Sequence, residues 1–348
     1  MMVIRAIEQQ DLDELERLAA LTGVGFTSLV PDKTVLQRKI DLSHTSFHTE
    51  HLEHPGPQSY LFVLEDTDQG RIVGTCGLLA TVGLDEPFYS YHLGTITHSS
   101  RELGVHNTHP TLVLNNDYTG VSEVCTLFLQ EDYRHSRNGQ LLSKSRFMFL
   151  AQFPERFTEK IFAEMRGVCD EDGTSPLWES LGRQFFSIDF ERADELTAQG
   201  NKQFIAELMP NNPVYVNLLS NEARDVLGKC HSSTEPARRL LEQEGFRFEN
   251  YVDIFDGGPT IEARVQDIRA VRDSRVVFAS IGEPKSTEEG PYYLVANIKL
   301  AGFRCLLIQR PTPPGSGLVL TQAEADALAI QHKDPVRIVE LSPYARHA

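Results

Sequence analysis

At 348 residues, with 41% hydrophobic and 9% aromatic residues, the chain can hold two domains, or one with a large extension, around a sizeable core. Its formal net charge of −16 argues against nucleic acid or an anionic membrane surface as partner, and is compatible with a cationic substrate. Five cysteines, widely spaced and without a C-x-x-C pair, suggest no zinc site and read as buried thiols of a reducing compartment. The opening MMVIRAIEQQDLDELERL has neither a signal-peptide pattern nor a long apolar span, so the expected location is cytoplasmic.

In chain order, Met2 to Ala6 predicts a first strand. Asp11 is the expected cap of a helix whose Leu12, Leu15, Leu18 and Ala19 share a face. The small-residue loop Thr22–Leu29 follows, then a second helix over Lys33–Asp41. Ser43–Pro57 carries His44, His48, His51 and His54 among polar residues. It lacks the i, i+4 pairing plus carboxylate of a metal site on a defined helix, and reads as a solvated loop. Tyr60–Glu65 and Ile72–Val82, joined by DTDQGR, form a hairpin. Asp85–Asn116 is an insertion with strand-like segments around Tyr89–His98 and Leu112–Leu114.

The stretch Ser122–Arg146 organises the rest. Val124 to Leu129 reads as a buried strand, QEDYRHSRNG as a polar turn, and Gln140 to Leu150 as a helix. Leu141, Leu142, Ser145, Met148 and Phe149 fall on one face of that helix. Strand, basic turn and helix N-terminus together make a phosphate-binding geometry, because the first helical N–H groups lack internal partners and the dipole favours an anion there. Arg134 and Arg137 add positive charge, and Gly139 allows close approach of the backbone.

Further on, Ile161–Val168 predicts a strand, Ser175–Leu181 a helix and Gln184–Phe190 a strand. Phe204–Met209 and Val214–Leu219 are apolar segments. Ser232 to Pro236 opens a helix closed by Gly245, and Phe246–Phe255 is a strand. This helix–Gly–Phe–strand order echoes SPLWESLGRQFFSIDF, a hint of partial duplication. From Gln266 a small α+β tail has strands near Tyr292–Ile298, Phe303–Gln309 and Val336–Leu341, a helix capped by Thr321, and the turn-rich loop Pro311–Gly317.

The strand, Tyr-Arg turn and R-x-x-x-x-G-x-L resemble the acyl-CoA pyrophosphate loop of the GNAT acyltransferase superfamily. That loop is usually Q/R-x-x-G-x-G/A, and Arg137 stands here where the first Gly is usual. Longer blocks, among them MMVIRAIE, SEVCTLFLQEDYR, FAEMRGVCDEDGTSPLWESLG, FIAELMP and NYVDIFDGGPTIEA, resemble the arginine N-succinyltransferase family through residue 340 or so. The resemblance implies an α+β fold: a GNAT-like domain over residues 1–195 with a central mixed, mainly antiparallel sheet. A second, partly GNAT-like segment over 196–265 and a small α+β extension over 266–348 complete the expected organisation.

It also implies transfer of succinyl from succinyl-CoA to the α-amino group of L-arginine, by direct amine attack, with no tightly bound cofactor and no metal. The expected partners are these two substrates and further copies of the chain as a homo-oligomer. The family's acyl-CoA contact corresponds to the backbone of Leu127, with Arg134, Arg137, Asn138, Gly139, Gln140 and Leu141 holding the pyrophosphate. The family's proton donor corresponds to His231. For the succinyl carboxylate and the guanidinium, Arg166, Arg183, Glu123, Glu164 and Asp256 are candidates, although ordinary salt bridges would account for each equally well. Competing readings are a transferase of the same fold preferring ornithine or another acyl-CoA, and a non-catalytic acyl-CoA-binding regulator.

Overall fold

The computed structural model describes the chain apart from residues 23–26, 171–172, 191, 194–195, 197–202, 285, 288, 312–314, 316 and 343–348. Part of the expected loop Thr22–Leu29, and part of Pro311–Gly317, therefore lie outside the described residues.

The described strands form one 15-stranded sheet. They are β1 (Met2–Ala6), β2 (Ser59–Asp66), β3 (Arg71–Leu79), β4 (Ser90–Ser100), β5 (Val105–Asn115), β6 (Ser122–Leu129), β7 (Lys160–Glu164), β8 (Val214–Tyr215), β9 (Arg247–Val252), β10 (Pro259–Arg264), β11 (Arg275–Ile281), β12 (Tyr292–Asn297), β13 (Arg304–Gln309), β14 (Gly317–Leu320) and β15 (Pro335–Glu340). Their spatial order is β14-β11-β15-β12-β13-β1-β2-β3-β6-β7-β10-β9-β4-β5-β8. Two pairs, β6/β7 and β11/β14, are parallel and the rest antiparallel, so the fold is the α+β architecture with a mixed, mainly antiparallel sheet that the sequence led us to expect.

Three helices anchor the first half: α1 (Leu12–Ala19), α2 (Lys33–His48) and α3 (Asn138–Gln152). Asp11 does not cap α1 through its side chain. Its carboxylate accepts the Glu8 N–H at 2.7 Å and pairs with buried Arg5 at 2.7 Å.

Helix α2 runs seven residues past the expected Asp41, through the stretch read as a loop. Small serines explain the difference. Ser43 and Ser46 are buried on the face of Leu36, Ile40 and Phe47, and their hydroxyls accept the Leu61 and Ser59 N–H groups at the edge of β2. His44 and His48, one turn apart, stack at 4.1 Å.

The expected strand Gln184–Phe190 is a second correction. Residues Arg183–Phe186 are helical and continue a wide turn over Trp178–Gly182. The aromatic residues are spaced for a helix: Trp178 stacks on Phe186 at 5.1 Å and meets Phe190 at 6.3 Å. The strand expected over Ile161–Val168 stops at Glu164, and β10, β11 and β14 were not anticipated.

Helix α3 is buried on all sides from Leu141 to Leu150, and not on one face. The sheet covers one side, and helices Glu235–Glu244 and Arg269–Asp273 cover the other. Burial therefore includes Lys144 and Arg146, each 1% exposed. Glu244 meets Lys144 at 2.9 Å and Arg269 at 2.8 Å, and accepts the Ala270 N–H at 2.8 Å. Lys144 Nζ also donates to the Leu341 carbonyl at 3.0 Å, fastening α3 to the end of β15.

Candidate active site

Strand β6 bulges against one neighbour and parts from the other. On the β3 side, Cys125 pairs with Gly77 and Phe128 with Thr75, so Thr126 and Leu127 together face the single residue Cys76. This is a β-bulge, and Thr126 takes the positive φ of 52°. On the other side β6 and β7 pair only at Ser122↔Ile161 and Glu123↔Phe162, then part. Four residues beyond Glu123 lies Leu127, and four beyond Phe162 lies Arg166. Allowing one residue for the bulge, the Leu127 backbone stands level with Met165–Arg166 across the gap.

The bulge is backed from inside. Arg146 donates from Nη1 to the Cys125 carbonyl at 3.2 Å, while its Nε and Nη2 reach the Ser143 carbonyl and hydroxyl. The sequence reading missed Arg146, whose charge sits among the apolar positions of α3. The signal was available: an arginine inside a run of buried-type residues directly after the phosphate-binding turn.

At the N-terminus of α3 the backbone turns sharply. Ser136 and Arg137 take positive φ values of 49° and 66°. Arg137 thus adopts, where the GNAT pattern usually has Gly, the left-handed conformation that a glycine takes without strain. Of the N–H groups from Arg137 to Leu141, that of Asn138 bonds the His135 carbonyl and that of Leu141 the Arg137 carbonyl. Those of Arg137, Gly139 and Gln140 have no acceptor among the described residues. The Gln140 side-chain oxygen is likewise buried and unpartnered. A Cβ on Gly139 would meet only Leu129, at 3.9 Å, so its Cα–H face is open. The two arginine side chains of the turn go elsewhere: Arg134 Nε donates to the Leu129 carbonyl at 3.0 Å, and Arg137 lies 4.3 Å over the Tyr292 ring.

Across the gap, the main chain of His231 is fixed at both ends. Its N–H donates to the Arg166 carbonyl at 2.8 Å, and its own carbonyl accepts from Thr234 at 2.9 Å, where the Glu235–Glu244 helix begins. A bridge between Gly167 and Cys230 completes the attachment. The ring is half-buried; Nδ1 meets the Ser233 hydroxyl at 2.7 Å, and Nε2 has no protein partner among the described residues. Partial burial, then the Arg166 charge, hold its pKa below the ordinary histidine value. Neighbouring Cys230 is buried, with its thiol on Glu235 at 3.0 Å. Burial and that carboxylate push its pKa up, so it stays protonated.

The Arg166–Gly167 segment is held by Asp256, whose carboxylate accepts the Gly167 N–H at 2.6 Å and the Gly258 N–H at 2.8 Å. Gly167 is required here: a Cβ would fall 2.6 Å from the Asp256 carboxyl carbon. Of the other candidates for substrate contact, Glu123 and Glu164 are half-buried on β6 and β7. Arg183 is exposed and paired with Glu179 and Asp189, apart from this cluster. No group of three or more His, Cys, Asp or Glu among the described residues could hold a metal ion. No helix there is long and apolar enough to cross a membrane.

This arrangement places a bulged strand, a helix N-terminus with free N–H groups and a titratable imidazole around one gap in a sheet. Residues 2–270 match the family described as arginine N-succinyltransferase beta subunit, and residues 275–340 its C-terminal domain. The chain belongs to the arginine N-succinyltransferase family. Within that family it is 51% identical to the "Arginine N-succinyltransferase" of Enterobacter sp. (strain 638) over 348 residues, covering 100% of both chains. It is 50% identical over 341 residues to the one from Escherichia coli (strain K12 / DH10B), covering 98% of each. Among solved structures it is similar to "arginine/ornithine succinyltransferase subunit AI from Pseudomonas aeruginosa", with a TM-score of 0.90 and 38% identity over 98% of this chain and 99% of that one. As a member of the arginine N-succinyltransferase family, the chain is an acyltransferase.

Proposed function

We propose that the chain transfers the succinyl group of succinyl-CoA to the α-amino group of L-arginine, giving N2-succinyl-L-arginine and CoA. The observation that carries this reading is the gap between β6 and β7, with the bulged Leu127 backbone on one side and His231 on the other. Similarity to relatives named for this activity supplies the two substrates.

The pyrophosphate of the donor lies on the free N–H groups of Arg137, Gly139 and Gln140, where the helix dipole adds to the attraction. Its pantetheine arm follows the edge of β6 exposed by the splay, bringing the thioester carbonyl to the Leu127 backbone. Attack by the neutral amine forms the C–N bond and puts negative charge on the carbonyl oxygen. A fixed N–H aimed at that oxygen stabilises the transition state more than the ground state. His231, neutral at pH 7 because its pKa is depressed, takes a proton from the attacking nitrogen, which becomes cationic as the C–N bond forms, directly or through one water. Collapse of the oxyanion breaks the C–S bond, and the imidazolium returns that proton to the CoA thiolate. No covalent enzyme intermediate forms, consistent with the protonated, buried Cys230.

The reaction belongs in the cytoplasm, a setting that suits five unpaired thiols. Self-association belongs to the same reading, and light scattering tests it. The decisive assay follows thiol release from succinyl-CoA with a panel of free amino acids, arginine and ornithine among them. Arginine as the preferred acceptor is the expected result. Turnover confined to ornithine, or none with any amino acid, would overturn the substrate assignment.

A further inference from the structure

Among the described residues, no carboxylate faces the Arg166 guanidinium in the cleft. Arg166 is half-buried at the level of Leu127, and its Nε is fully shielded from solvent without a hydrogen-bond partner. No carboxylate pairs with its guanidinium among the described residues, in a chain with 49 acidic and 33 basic side chains. The nearby Asp256 carboxylate is already occupied by the Gly167 and Gly258 N–H groups. The His231 imidazole and the Cys169 thiol both feel the Arg166 charge, and neither carries negative charge in its resting form.

The other arginines around the site are consumed. Arg146 is bonded to Cys125 and Ser143, Arg134 to Leu129 and Arg269 to Glu244, while Arg137 covers Tyr292. A partly desolvated guanidinium without a counter-ion is costly, and its fork geometry matches a carboxylate.

We infer that Arg166 is the specificity-determining residue of this acyltransferase, binding a substrate carboxylate beside the reacting thioester, and that this carboxylate is the distal one of the succinyl group. The inference rests on the proposed use of succinyl-CoA. Position favours the donor. Arg166 stands across from the backbone assigned to the thioester carbonyl, and the distal carboxylate of a four-carbon diacid lies only two methylenes beyond that carbonyl carbon. The α-carboxylate of the amino acid is the competing source of the same chemistry, so both substrates are varied in the test.

Rates are measured for the wild-type protein, Arg166→Met and Arg166→Lys. Donors are succinyl-CoA and butyryl-CoA, which has the same carbon count without the carboxylate. Acceptors are arginine and agmatine, which lacks the α-carboxylate. In Arg166→Met the succinyl-over-butyryl preference in kcat/KM is expected to fall about 100-fold, as for loss of a charge-assisted pair, with the arginine-over-agmatine preference unchanged. Arg166→Lys is expected to recover part of it, and it stands in if the Met variant does not fold. Equal losses with both donors would overturn the inference, and so would a collapse confined to the arginine-over-agmatine ratio. If the wild-type protein does not use succinyl-CoA, the functional reading itself fails. If it does and the variants keep its donor preference, only the role of Arg166 is lost.

Discussion

The guanidinium of Arg146 donates to the Cys125 carbonyl from inside the protein, where that arginine is 1% exposed and has no carboxylate partner among the described residues. Cys125 is the last paired residue before the bulge that turns the Leu127 backbone toward the gap. A cation buried at this cost, where an apolar side chain would pack, marks a position held for the shape of the strand.

Replacing it is therefore expected to separate stability from activity. In Arg146→Met the lost hydrogen bonds and the relieved desolvation oppose each other, so stability is expected to change by no more than about 2 kcal/mol. The bulge loses its anchor, and kcat is expected to fall about 10- to 100-fold with little change in KM for the donor. Urea unfolding and steady-state kinetics measure the two effects. A variant with full kcat would show that the bulge holds itself.

Gly139 occupies the first turn of α3 with open space at its Cα. Alanine there gains helix propensity, by up to about 1 kcal/mol, so folding is not at risk. Its methyl group nevertheless stands where the pyrophosphate approaches the free N–H groups. Gly139→Ala is expected to raise KM for the CoA donor several-fold, and Gly139→Val more. Calorimetric titration with CoA alone checks the assignment, since unchanged binding in a folded variant would remove the loop from the donor site.

His231→Ala is expected to lower kcat by about 100- to 10,000-fold without loss of CoA affinity, the usual worth of general acid–base catalysis. Cys230→Ala is expected to stay active. The pH dependence has a definite sign. Burial and the Arg166 charge both favour the neutral imidazole. Activity is thus expected to fall on acidification with a midpoint below the ordinary histidine value of about 6.5. In Arg166→Met that midpoint is expected to move upward. A pH profile of kcat/KM decides both points. A dead Cys230→Ala beside an active His231→Ala would favour a covalent route.

Glu244 is wholly buried between Lys144 and Arg269. Glu244→Ala leaves two buried cations without their shared anion and is expected to cost about 3–5 kcal/mol. Because Lys144 lies on α3, the loss is expected to loosen the helix behind the pyrophosphate turn. Thermal unfolding with and without saturating CoA measures it, and a change below about 1 kcal/mol would show the triad to be dispensable.

Local patterning determined much of this protein. The hairpin of β2 and β3, the strand–turn–helix around Arg134–Leu141, the Thr321 cap and the Gly245 stop were legible because each depends on residues a few positions apart. So was the family, carried by long blocks of sequence. Tertiary structure decided the rest, because the interactions concerned join segments far apart in the chain. The extension of α2 to His48 depended on two serines meeting β2, and the all-round burial of α3 on helices about a hundred residues later. The gap between β6 and β7 accompanies a bulge that no local spacing announces, and the place of His231 beside it rests on its hydrogen bond to Arg166 and on the Gly167–Cys230 bridge. That Arg166 has no carboxylate partner among the described residues could be seen only in the folded chain, since charge pairing is a property of distance in space and not of order along the sequence.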